Sequence, residues 1–131
     1  MKPDVVLLIP MWQPRALLRA QLIEEGFEVY AVDSWEATRP LLRPWSRPLL
    51  VIVDLDGLPH PQTVLGDLKV LMQADRVLVL TASGTLAAGT LRQMGFDEVL
   101  RRPFSIAQVV DAASRVIRAN AGANPGLRAA D

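Results

Sequence analysis

The sequence of 131 residues contains no cysteine and a single histidine. The first absence excludes disulfides and thiolate chemistry, and the second excludes a histidine-rich metal centre. Net charge is lacking as well. Fourteen Lys plus Arg balance 14 Asp plus Glu, so no bulk field draws the chain to nucleic acid or to a membrane surface. No apolar run approaches the roughly 20 residues that cross a bilayer. The opening MKPDVVLLIP has one lysine, an early aspartate and only a short apolar stretch, a poor match to a secretory signal. These absences together predict a cytoplasmic protein that engages neither membrane nor nucleic acid.

What the chain does have is apolar residues in short blocks. They make up half of it, enough at this length for one domain with a real core. Residues 5–9 form a continuous apolar run of strand type. Pro14 suits the first turn of a helix reaching Glu25, with Leu17, Leu18 and Leu22 as its buried face and Gly26 as its stop. FEVYAV (27–32) predicts a second strand, and Asp33 with Glu36 a capping-box start to a second helix. Pro40, Pro44 and Pro48 confine that helix to a short piece, followed by an irregular passage through Trp45. Residues 49–53 predict a third strand. Val64, Leu65, Leu68, Leu71 and Met72 then repeat at helical spacing. RVLVLTA (76–82) predicts a fourth strand, a helix from about Thr85 ends at Gly95, and DEVL (97–100) predicts a short fifth strand. Ser105 and Gln108 form a capping box for a last helix whose face is Ile106, Val109, Val110, Ala113 and Ile117.

Five strand–helix units imply a doubly wound α/β fold with a parallel sheet covered on both faces. The domain spans residues 1–120, and the small, polar, Gly- and Pro-bearing stretch 121–131 reads as a flexible tail or linker. In such folds ligands bind beyond the carboxyl ends of the strands. Those ends are Ile9–Pro10, Asp54, Thr81 and Arg101–Arg102.

The stretch LLVIVDLDGLP (49–59) is the most pointed of these, since an apolar run ends on Asp54 with Asp56 two residues on. Asp-x-Asp-Gly after a strand is also the signature of aspartate-nucleophile phosphatases. However, a whole βαβα unit precedes it here, and Asp97 and Glu98 begin a strand rather than ending one. A flavin or nucleotide site is disfavoured because the loop PMWQP after the first strand has no glycine to admit a phosphate. The plainest reading is a solvated strand-end acid. His60, between two prolines, reads as a loop residue, and Trp12, Trp35 and Trp45 read as packing, with Trp12 close enough to Pro10 to cover a pocket mouth.

VIVDLDGLP, VLVLTA and QMGFDEVLRRPFS, set in five βα units, resemble a response-regulator receiver domain over about residues 4–118. The resemblance implies a flavodoxin-like fold with strand order 2-1-3-4-5. It implies Asp54 as phosphoacceptor, Thr81 as the hydroxyl that meets the phosphoryl group, and Arg102 where the family has lysine. It also implies partners of the family's kind, a histidine kinase and an output domain or protein. A homodimer would form through the fourth helix, fifth strand and fifth helix, with Arg92, Arg101 or Arg115 at its rim. The departures are as specific. The family's acidic pair falls on Ile9 and Pro10, which leaves Asp54 and Asp56 as the only side-chain ligands for magnesium. Asp56 shares a face with Asp54 only if the backbone stays extended. Val99 and Leu100 stand where receivers place an aromatic switch residue. The expectation is therefore an atypical receiver, not an enzyme, with weak magnesium binding and an Asp54–Arg102 ion pair at rest. A conventional phosphoacceptor at Asp54 is the alternative.

Overall fold

The computed structural model describes residues 3–82 and 87–122. Its elements alternate along the chain: β1 (Val5–Leu8), α1 (Trp12–Glu24), β2 (Val29–Val32), α2 (Trp35–Thr38), β3 (Leu50–Asp54), α3 (Pro61–Leu71), β4 (Val77–Thr81), α4 (Ala88–Gln93), β5 (Val99–Arg101) and α5 (Ile106–Gly122). The five strands form one parallel sheet in the order β2-β1-β3-β4-β5. All carboxyl ends therefore lie along one edge.

The reason for the two-layer covering is visible in the strands. β1, β3 and β4 are buried at every position, as expected of strands with a helix on each face. Alternate side chains go to opposite faces. Val5, Leu7, Leu50 and Ile52 meet Leu18 and Leu22 of α1 and Val109, Ala113 and Val116 of α5. Val6, Leu8, Val51 and Val53 meet Val64, Leu65 and Leu68 of α3 and Leu91 of α4. Each fully buried Leu, Ile or Val contributes about 1.5–3 kcal/mol relative to an exposed one.

Helix α1 stops where Gly26 takes a positive φ of 96°. Gly26 N–H donates to the Ile23 carbonyl and Phe27 N–H to that of Leu22, which satisfies the helix end. The buried face of α1 is narrower than the sequence predicts, because Leu18 and Leu22 are buried while Leu17 is 57% exposed. Leu17 and Leu18 point in different directions around the helix, and α1 packs with only Leu18 toward the sheet. The cap of α2 is Ser34 rather than Asp33, and Ser34 Oγ accepts from Ala37 N–H at 3.2 Å. After four residues α2 tightens into a 3-10 turn over Arg39–Leu42, where Pro40 forbids a continued helix.

The capping box at Ser105 and Gln108 is present. Ser105 N–H donates to Gln108 Oε1 at 2.7 Å, and Gln108 N–H to Ser105 Oγ at 3.1 Å. Helix α5 runs past Arg118 to Gly122, into what the sequence suggests is tail. Asn120 is buried there and its Nδ2 donates to the Asp75 carbonyl at 3.3 Å. The first residues of the expected fourth helix, 85 and 86, and residues 123–131 of the expected tail lie outside the described residues. Among the described residues no helix is long and apolar enough to cross a membrane.

Candidate functional site

Three of the predicted residues meet at the carboxyl edge. Asp54 is the last residue of β3, Thr81 the last of β4, and Arg102 follows β5. Register does the joining. Asp54 lies beside Leu80, Thr81 lies beside Arg101, and Arg102 N–H donates to the Thr81 carbonyl at 2.8 Å. Asp54 is 2% exposed and Thr81 wholly buried. The Thr81 hydroxyl reaches the Ala82 carbonyl at 3.4 Å.

Arg102 grips Asp54 with both arms, Nη1 to Oδ1 at 3.0 Å and Nη2 to Oδ2 at 2.6 Å. Oδ1 also accepts the N–H of Asp56 at 3.0 Å. The geometry is the fork-on-fork arrangement that arginine supplies and lysine does not. The guanidinium also lies over the Phe104 ring, 4.9 Å from its centroid, in the range of a cation–π contact. The hydrogen bonding of its guanidinium to Asp54 raises the Arg102 pKa above its ordinary value. Burial opposes this, and the charges of Asp54 and Asp56 add to it.

Asp56 lies in the turn that follows the strand. The strand ends at Asp54, and Leu58 N–H closes a turn onto the Leu55 carbonyl at 3.2 Å. The extended backbone that side-by-side carboxylates require is lost there, and Asp56 contributes its amide to Asp54. Gly57 makes the turn with φ of 80°. A Cβ built on Gly57 lies 3.6 Å from Cβ of Pro10, so the proline packs over this loop.

The other side of the edge is closed by a residue the sequence reading missed. Arg15 Nη1 donates to the carbonyls of Ile9 at 2.8 Å and Pro10 at 3.1 Å. The one available signal was a cation one turn into a helix that begins just after a strand end. Ile9 is 1% exposed and part of the core.

Magnesium takes oxygen ligands in near-ideal octahedral geometry. Among the described residues the donor set at this edge does not fit it. Both Asp54 oxygens are taken by Arg102, with Oδ1 shared with the Asp56 amide. The side chains of residues 9 and 10 are apolar, and their carbonyls face a guanidinium. Among the described residues no group of three or more His, Asp or Glu side chains is arranged to hold a metal ion.

Other candidates lie apart. Asp97 and Glu98 precede β5 at the opposite edge, and Glu98 is bonded to Arg115 at 2.9 Å. His60 precedes α3 in a left-handed conformation, φ 52°. Two of the tryptophans do not pack as expected, since Trp12 is 70% and Trp45 74% exposed. Trp35 rests partly buried on the core.

No protein-family profile and no curated protein matches the sequence. Solved structures do. A response regulator receiver domain protein from Clostridium thermocellum superposes with a TM-score of 0.74 at 22% identity, covering 87% of this chain and 93% of that one. The fold is that of a response-regulator receiver domain. A CheY-like receiver domain protein from Methanospirillum hungatei JF-1 gives 0.76 at 12% identity, over 95% of this chain and all of the other. NtrX from Brucella abortus, solved with ADP, gives 0.74 at 19% identity over 92% of this chain. This receiver fold corresponds to 28% of that longer protein.

Proposed function

We propose that this chain is a receiver-like signalling module of the two-component type, acting through protein–protein contact with weak or no magnesium-dependent phosphorylation of Asp54. The observation that carries this reading is the double grip of Arg102 on Asp54. A carboxylate attacks phosphorus only with a free oxygen, and only when charge on the transferring group is neutralised from several sides. In this site the cation is already spent on the carboxylate. The carbonyls of Ile9 and Pro10 on the far side accept from Arg15. In this reading the module has a signalling role with no turnover of its own.

Its partners are proteins of the kind the receiver fold serves, a histidine kinase or an output domain. Zero net charge supports a domain that does not itself bind nucleic acid. A homodimer through α4, β5 and α5 has less support than the sequence offers it. Arg115 is engaged by Glu98 within the chain, and among the described residues that face exposes no large apolar side chain.

The test is a titration with magnesium and beryllofluoride followed by tryptophan fluorescence. The reading expects no saturable change at low-millimolar magnesium. A saturable change that Asp54→Asn abolishes selects the alternative, a conventional phosphoacceptor.

A further inference from the structure

The segment TRPLLRPWSRP (38–48) places Arg-Pro at 39–40, 43–44 and 47–48. Over residues 35–48 there are three arginines against one acid, Glu36, in a chain whose total charges cancel. The structure turns this repeat into a surface. Trp35, Glu36, Arg39, Pro40 and Arg43 line an open groove of about 530 Å³. The floor is fixed, because Trp35 packs on the core and Leu42 is 1% exposed beneath the turn. Arg39, Arg43 and Trp45 are exposed, and the Arg43 guanidinium lies 5.7 Å from the Trp45 ring centroid.

Among the described residues neither Arg39 nor Arg43 forms an ion pair. The two ion pairs found there join Arg102 to Asp54 and Arg115 to Glu98. Two unneutralised guanidiniums four residues apart stand beside an exposed tryptophan on a proline-stiffened backbone. Tryptophan and arginine are the residues that dominate binding energy at interfaces.

We propose that this groove docks an acidic, extended segment of a protein partner, its carboxylates on Arg39 and Arg43 and its backbone or an apolar side chain against Trp45. Charge complementarity selects the occupant. Glu36 on the groove wall opposes a continuous polyphosphate but leaves room for spaced carboxylates. The groove lies on the α2 side.

A fluorescein-labelled oligoglutamate peptide titrated against the intact protein tests this by anisotropy. Saturable binding that weakens with added salt is expected. The Arg39→Glu/Arg43→Glu double variant should weaken it about ten-fold or more, and Trp45→Ala should weaken it too. Arg118→Glu, an exposed change on α5, should leave it unchanged. The substituted groove residues are exposed, so thermal melts should match the wild type and separate lost binding from lost fold. Absence of saturable binding overturns the proposal, as does equal affinity of the wild type and the double variant. Tighter binding of single-stranded oligothymidylate than of the peptide also overturns it, in favour of nucleic acid.

Discussion

Arg102 and Asp54 are joined across two strands by paired hydrogen bonds of 3.0 and 2.6 Å, yet their exposures are unequal. The Arg102 side chain is 31% exposed and that of Asp54 only 3%. Asp54 thus depends on Arg102 for its charge balance more than Arg102 depends on Asp54.

That asymmetry fixes the order of two variants. Arg102→Ala leaves a buried carboxylate with no cation, a loss of about 2–3 kcal/mol, below the usual cost for a fully buried pair because the arginine is partly in water. Asp54→Asn leaves a guanidinium that can turn to solvent, at about 1 kcal/mol. Urea denaturation of both variants measures the difference, and equal losses would contradict the picture.

Alkaline pH gives a second check. Because the Arg102 pKa is raised in the fold, its stabilisation is fully present below the ordinary arginine value. It is lost only as pH rises through the still higher folded value. No loss from this pair is expected between neutrality and about pH 10. Arg102→Lys brings the loss within reach, since lysine titrates near about 10.4 when unperturbed. Thermal melts of this variant should fall away above that pH relative to the wild type.

Arg15 supplies a third. Arg15→Ala removes the donor to the Ile9 and Pro10 carbonyls and should cost about 1–2 kcal/mol, the range for charge-assisted hydrogen bonds at a half-exposed site. Hydrogen exchange should quicken locally around residues 9–12 while the strand interiors stay protected.

Much of the fold was legible in the sequence because fully buried parallel strands read as unbroken apolar runs. Residues 50–53 and 77–80 left no choice of face, and the Ser105–Gln108 box marked the start of α5. Boundaries were less legible. Adjacent Leu17 and Leu18 look alike in sequence, and only the docking of α1 on β1 and β2 decides that Leu18 goes inward. The burial of Asn120, the last residue of the expected domain, shows only where its amide finds the Asp75 carbonyl. At the site, Asp54, Thr81 and Arg102 were found by their place at strand ends. Arg15 was not, because its contacts are with backbone oxygens, which no side-chain motif records. The condition set on Asp56, an extended backbone past Asp54, depends on where the strand stops, and that is decided by the turn at Gly57.

The central claim is that Asp54 is held by Arg102 and is not available for magnesium-dependent phosphoryl transfer. Intact-mass spectrometry of the protein after incubation with acetyl phosphate and magnesium tests it most directly. The account predicts an unchanged mass for the wild type. A gain of one phosphoryl group that requires magnesium and disappears in Asp54→Asn would contradict it.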